Sequence, residues 1–161
     1  MLILGVTTSH PECSIALVND GALLGRDAFD GRGACVEELA PRIDGLLKQC
    51  GADYGEVDVY AADRGPGGLT GIKIGLVTVR TMAQIANRPI ASCSSLRTTA
   101  CAAPAGADLI FAMSRCSHDE VYYAAFRAGA GLPERLLADA VGAPGTAAAA
   151  FSAYTGKKAV L

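Results

Sequence analysis

The segment that most constrains the fold is 72–87, where the residue spacing predicts a helix that is apolar on nearly every side. Its only charged residues are Lys73 and Arg80. Such a helix has to be covered on two sides. One side can lie on a sheet, and the other needs either a neighbouring helix or another protein; the sequence leaves both alternatives open. The two faces consist of Ile74, Val77, Thr78, Thr81, Met82 and Ile85, and of Ile72, Leu76, Val79, Ala83 and Ala86.

The segments around this helix predict a mixed five-stranded sheet. Short β-rich runs at 2–8, 13–18 and 22–29, separated by turn-forming residues, indicate three antiparallel strands. Further strands are predicted at 57–63 and 89–96, and these two run parallel because a helical crossover connects them. The fold class is therefore α/β.

A second amphipathic helix is predicted between the third and fourth strands. Apolar residues recur there at helical spacing up to Cys50, and Gly51 is placed to end the helix. The sequence does not show whether this stripe packs on the sheet or on a partner. The residues of the stripe that could contact a partner are Val36, Leu39, Ala40, Ile43 and Leu46.

A composition change at 102–106, rich in Ala, Gly and Pro, predicts the joint between two lobes. Residues 1–104 then form the N-terminal lobe, and 105–161 form a reduced C-terminal lobe. The second lobe begins with a β-hairpin whose strands are 109–115 and 120–126. Beyond the hairpin, the Ala- and Gly-rich sequence predicts no defined element.

Composition excludes several classes of protein. Of 161 residues, 51% are hydrophobic and 19% are charged, which excludes a disordered chain. With fourteen basic and sixteen acidic residues, the chain has no excess of positive charge with which to bind nucleic acid directly. No apolar run is long enough to span a bilayer, and the six cysteines form no CxxC pair. We expect a cytoplasmic protein with reduced thiols, no metal and no cofactor.

A glycine-rich turn separates the fourth strand from the apolar helix. Its residues bend the backbone tightly and let it approach another surface closely. Turns of this kind at helix N-termini often bind anions, but the same glycines also serve tight packing alone. The spacing leaves both interpretations open. The residues concerned are Arg64, Gly65, Pro66, Gly67, Gly68, Thr70 and Gly71.

The order of elements resembles the half-unit of the actin-like ATPase fold, which is ribonuclease H-like. Within it, the segment AADRGPGGLTGIKIG at 61–75 closely resembles the usual GPGSFTGLRIG of the TsaB (YeaZ) family. The segments PIASCSSL, EELAPRIDGLL and DEVYYAAF resemble the family's PxxGVSSL, ExLLPxIxxLL and GEVYxAxY. The resemblance covers residues 1–126.

This resemblance implies a subunit that supports, without catalysing, the formation of threonylcarbamoyladenosine beside the tRNA anticodon. In that family the catalyst is the paralogue TsaD, and the ATPase TsaE joins the assembly. The two N-terminal helices are expected to pack on TsaD or on a second copy, with tRNA contacted only through the complex. On the helix at 72–87, the expected interface consists of Lys73, Ile74, Val77, Thr78, Arg80, Thr81, Met82 and Ile85.

Some positions depart from the family pattern. Thr7 stands where actin-like ATPases carry the acidic residue that positions the nucleotide's metal. Cys35 replaces a frequent histidine at the start of the first helix, and Gly68-Leu69 replaces Ser-Phe. The segment after residue 104 is shorter than the family's second lobe. These departures reduce the case for autonomous nucleotide hydrolysis.

The sequence allows two enzymatic alternatives to the subunit function. An actin-like ATPase or kinase needs an acid at the end of the first strand, and Thr7 argues against it. A glycoprotease-like metallopeptidase needs paired histidines at helical spacing, but His10 and His118 are far apart in sequence. We therefore expect no catalytic residue and no metal ligand in this chain.

Overall fold

The computed structural model describes residues 1–154 and the backbone of residues 159 and 160. The chain divides into two compact units, the first comprising Met1–Cys93 and the second beginning at Ser94. We predicted the joint near residue 104, eleven residues further along the chain. The helix that follows Cys93 belongs to the second unit because Leu96 and Ala100 are part of that unit's core. Of the predicted second lobe, residues 155–158 and 161 lie outside the described residues.

The first unit is a five-stranded mixed sheet with two helices, as the sequence predicted. The strand order is β3-β2-β1-β4-β5, in which β1, β2 and β3 are antiparallel and β1, β4 and β5 are parallel. A single 3₁₀ turn, Tyr54–Glu56, precedes β4. The elements are β1 (Leu2–Thr7), β2 (Glu12–Asn19), β3 (Ala22–Asp30), α1 (Cys35–Gln49), β4 (Val59–Asp63), α2 (Leu69–Ala86) and β5 (Ile90–Cys93).

Both helices of this unit pack on the same face of the sheet. Leu4, Ile15 and Tyr60 project from the strands into one core cluster, and Ile43 of α1 and Val79 of α2 join it from the other side. All five are at most 1% exposed. Alternate residues of β2 are buried, as the two-residue period of a strand requires when only one face meets the core.

Most of the α1 residues that were predicted to contact a partner are buried. Leu39, Ile43 and Leu46 lie in the core of the first unit, so they are unavailable to a partner. Val36 and Ala40 remain exposed. The expectation that all five residues form an interface is therefore wrong for the three buried ones, because the stripe packs on the chain's own sheet.

The second unit is a second sheet with a helix on each face. Its strand order is β8-β7-β6-β9, with β9 parallel to β6. The predicted hairpin is present, but β8 and the following helix were missed because their Ala- and Gly-rich sequences carry little periodic signal. The elements are α3 (Ser95–Cys101), β6 (Leu109–Arg115), β7 (Val121–Arg127), β8 (Glu134–Gly142), α4 (Pro144–Ser152) and β9 (Ala159–Val160).

Two small clusters cover this second sheet. On one face, Leu96 of α3 packs with Phe126 of β7. On the other, Phe151 of α4 stacks on Phe111 of β6, with their ring centroids 4.3 Å apart, and meets Tyr123 edge-on. Among the described residues, no helix combines the length and the hydropathy that crossing a bilayer requires.

The burial of α1 predicts different costs for two apolar truncations on the same helix. Ile43→Ala should lower the free energy of unfolding by about 2–5 kcal/mol, because it removes buried methyl groups and leaves a cavity. Val36→Ala should change it by less than about 0.5 kcal/mol, because Val36 is exposed. Urea denaturation followed by circular dichroism measures both. Equal costs would contradict the packing of α1 on the sheet.

Candidate functional site

One side of α2 is not covered by the described part of the chain. Gly75, Val79 and Ala83 are buried against the sheet, whereas Val77 is 64% exposed and Ile85 is 82% exposed. The structure thus decides which of the two apolar faces of this helix is sheltered. We call the exposed residues of the predicted α2 interface the outer face of α2; these are Lys73, Val77, Arg80, Thr81 and Ile85.

The remaining residues of the predicted α2 interface lie at the margin of this face. Ile74 and Met82 are half-buried and pack against the edge of the core, and Thr78 is also half-buried. Isolated exposed apolar residues are common on protein surfaces, but several on one helix indicate a contact surface. Leu69, at the start of the same helix, is exposed as well.

The glycine-rich turn packs against the segment that follows β1. The amide of Gly68 donates to the carbonyl oxygen of Ser9 at 2.8 Å, and the Thr8 hydroxyl donates to the carbonyl oxygen of Gly71 at 2.8 Å. A Cβ on Gly67 would lie 2.3 Å from the Ser9 oxygen, and one on Gly71 would lie 2.0 Å from the Thr8 oxygen. These contacts give the glycines a packing role, and the predicted anion contact stays a prediction.

The glycine-rich turn leads directly into α2. The helix begins at Leu69, three residues earlier than predicted, so that Thr70 and Gly71 lie in its first turn. The Gly65–Pro66 peptide is cis, and Gly65 has a φ of +83°, a conformation that favours glycine. Arg64 is exposed, and its backbone amide donates to Cys93.

A buried carboxylate lies beside this turn, and our sequence analysis did not identify it. Asp63, at the end of β4, is 4% exposed and accepts hydrogen bonds from the hydroxyls of Thr7 (2.5 Å) and Ser9. The Ser9 hydroxyl also lies 3.0 Å from Nδ1 of His10. The signal that could have identified Asp63 is the parallel pairing of β1 and β4, because it brings the carboxyl ends of both strands together.

This cluster contains a single carboxylate whose acceptor oxygen Oδ2 is occupied by neutral hydroxyls. Hard cations such as Mg²⁺ are usually held by several oxygen ligands, including carboxylates. Thr7 supplies a hydroxyl at the position where an actin-like ATPase would need an acid, and it donates to Asp63. Across the described ranges, no group of three or more His, Cys, Asp or Glu side chains is placed to hold a metal ion.

The thiol at the start of α1 points into the core. Cys35 is 5% exposed, and its Sγ lies 3.5 Å from Sγ of Cys13, which is 2% exposed. Burial, together with the hydrogen bond to Cys35, raises the pKa of the Cys13 thiol to about 12. Because the thiolate is the reactive form, the raised pKa protects Cys13 from alkylation at neutral pH, and burial alone restricts access to Cys35.

Comparison with known proteins places this architecture in a family. The sequence profile described as "TsaD: tRNA N6-adenosine threonylcarbamoyltransferase" matches residues 34–156. The chain is 30% identical over 129 residues to the tRNA threonylcarbamoyladenosine biosynthesis protein TsaB of Escherichia coli, which covers 79% of this chain and 55% of that protein. The structure of YeaZ from Pseudomonas aeruginosa superimposes with a TM-score of 0.81 at 28% identity, covering 89% of this chain and 68% of YeaZ. The chain belongs to the TsaB/YeaZ family.

The match to the threonylcarbamoyltransferases covers a smaller share of both proteins. The tRNA N6-adenosine threonylcarbamoyltransferase of Erythrobacter litoralis is 31% identical over 111 residues, which are 59% of this chain but 32% of that enzyme. The chain spans about half the length of the E. coli TsaB that it matches. The family expected from the glycine-turn motif and the actin-like fold expected from the order of elements are confirmed.

The glycine contacts predict opposite effects for two Gly→Ala substitutions inside helices. Gly71→Ala should lower the free energy of unfolding by about 1–3 kcal/mol, because the new Cβ overlaps the Thr8 carbonyl oxygen. Gly45→Ala on α1 has open space around the new Cβ and should raise it by about 0.5–1 kcal/mol. Thermal and urea unfolding measure both, and a stabilising Gly71→Ala would refute the tight contact.

Thiol accessibility gives an independent check on the core. At about pH 8, iodoacetamide should modify the exposed Cys93 and Cys101 in the native protein but leave Cys13 and Cys35 intact. In urea all four should react. Mass spectrometry of tryptic peptides reads out each site, and rapid native modification of Cys13 would contradict its burial and its raised pKa.

Proposed function

We propose that this chain is a non-catalytic subunit in the cytoplasmic biosynthesis of threonylcarbamoyladenosine in tRNA, and that it binds TsaD through the outer face of α2. The observation that carries the proposal is that Val77 and Ile85 stay exposed on a helix whose opposite side, with Gly75, Val79 and Ala83, is buried. The TsaB name of its relatives supplies the pathway. TsaE joins the same assembly in this proposal, and tRNA is reached through the complex.

The size of the surface is compatible with a partner. A stable interface buries about 800 Å² on each side, which one helix rarely supplies alone. Here α1 lies on the same face of the sheet as α2, and its Val36 and Ala40 are exposed apolar residues. The two helices together therefore form an outer layer from which a partner can bury apolar area.

The polar cluster at Asp63 supports a subunit that does not itself process a nucleotide. The position that would carry a metal-positioning acid is Thr7, and its hydroxyl is committed to Asp63. Asp63 is 4% exposed, so its carboxylate is not presented to solvent. The residues of this cluster are arranged to hold the glycine-rich turn against β1, which orients α2.

A second copy of the chain is the competing occupant of the outer face. The same apolar residues would serve a homodimer, and the two assemblies exclude each other if they use the same surface. Direct binding of tRNA by the isolated chain is not part of the proposal, because acidic residues outnumber basic ones.

The proposal predicts that Val77→Glu prevents complex formation. A charge at a contact site that becomes desolvated should weaken binding to the host's TsaD by roughly tenfold or more. Gel filtration and calorimetry measure the association, and circular dichroism checks the fold. Leu132→Glu, at an equally exposed apolar residue of the second unit, is the matched control and should bind like the unmodified chain.

The function in the pathway is tested in the host. Depletion of the chain should lower the threonylcarbamoyladenosine content of tRNA, measured by nucleoside analysis, and the Leu132→Glu form should restore it. The Val77→Glu form should fail to do so. A normal nucleoside content after depletion would overturn the proposed function.

A further inference from the structure

The charged residues of α2 have a single sign, since the helix contains Lys73 and Arg80 and no acid. From Arg64 to Ala107 the sequence contains five basic residues and no acidic one, although the whole chain carries a net charge of −2. Positive charge is thus concentrated on one stretch of an otherwise slightly acidic protein. The five residues are Arg64, Lys73, Arg80, Arg88 and Arg97.

Two of these charges belong to the outer face itself. Lys73 and Arg80 are seven residues apart, so they lie within about 20° of each other around the helix and form one flank beside Val77. Both are exposed. Within residues 1–154, neither forms an ion pair, whereas Arg88 lies 3.7 Å from a carboxylate oxygen of Asp58.

The opposite flank of the outer face is apolar. Ile85 and Thr81 lie on the other side of Val77, and half-buried Ile74 continues them toward the core. The face therefore has a basic edge and an apolar edge that run side by side along the helix. A complementary helix needs carboxylates along one edge and apolar side chains along the other.

A second copy of this chain does not provide that complement. In an antiparallel two-fold contact of α2 with α2, the same face meets itself, and the edge that carries Lys73 and Arg80 lies against the same basic edge of the other copy. In the alternative contact of α2 with the other copy's α1, Glu37 is the single acid of that helix without an ion pair among the described residues, so two cations would meet one available carboxylate. On α1, Glu38 pairs with Arg42, and Asp44 pairs with Lys48, at 2.6 and 2.7 Å.

We infer that the outer face of α2 selects a heterologous partner helix with Asp or Glu side chains beside its apolar residues, in preference to a second copy of this chain. The inference rests on the proposed function, of which it specifies the partner chemistry. The apolar residues supply most of the affinity, and the basic flank supplies discrimination and a faster association rate. Lys73 and Arg80 are therefore specificity residues of the interface.

The test is a double charge reversal, Lys73→Glu with Arg80→Glu, measured against the host's TsaD. Association and dissociation rates are followed by surface plasmon resonance between about 50 and about 500 mM NaCl, because screening weakens exposed charge pairs. We expect the reversal to weaken binding about 10–100-fold at low salt, chiefly through the association rate, and to abolish the loss of affinity with salt. Self-association, measured by analytical ultracentrifugation, should not weaken.

A matched control separates the local effect from the change in net charge. Arg26→Glu with Arg115→Glu alters the net charge equally at two exposed residues of β3 and β6, outside α2, and should bind like the unmodified chain. The charge-conserving exchange Lys73→Arg with Arg80→Lys should retain both the affinity and its salt dependence.

The outcomes distinguish this inference from the proposed function. If Val77→Glu abolishes binding to TsaD but the charge reversal changes neither affinity nor salt dependence, the inference is wrong and the function stands. If neither variant affects binding to TsaD, both are wrong. If the reversal weakens self-association as strongly as binding to TsaD, the face accepts a second copy equally well and the inference is overturned.

Discussion

The contact between the glycine-rich turn and the Thr8–Ser9 segment determines the orientation of α2. Three positions without side chains, Gly67, Gly71 and Gly75, let the start of the helix lie against this segment at distances that a Cβ would not allow. The Thr8 hydroxyl completes the contact by bonding to the Gly71 carbonyl. Because a helix is rigid, fixing its first two turns fixes which residues farther along face the sheet.

The candidate site is a consequence of that orientation. Once Gly75 is turned toward Thr8, Val79 and Ala83 follow it inward, and Val77 and Ile85 are left outside. The buried Asp63 contributes by holding Thr7 and Ser9 on either side of Thr8. The hydrogen bonds of this cluster thus support the position of α2.

The elements with a strong period were predictable from the sequence. The three antiparallel strands, α1, β4, α2 and the β6–β7 hairpin all appear close to their expected positions. Residues 134–152 were not predictable, because their alanine-rich sequence has no apolar period that distinguishes a strand from a helix. Their structure depends on Phe151 packing against Phe111, about forty residues earlier in the chain.

By itself, the sequence determined that α2 has two apolar faces, that a tight turn precedes it and that the chain is related to the TsaB/YeaZ family. Only the tertiary structure decided which face is covered, and that the stripe of Leu39, Ile43 and Leu46 on α1 is core. Periodicity reports that a residue is apolar at a given angle around a helix. What covers that angle depends on contacts such as Thr8 with Gly71, which are 63 residues apart and which no local pattern contains.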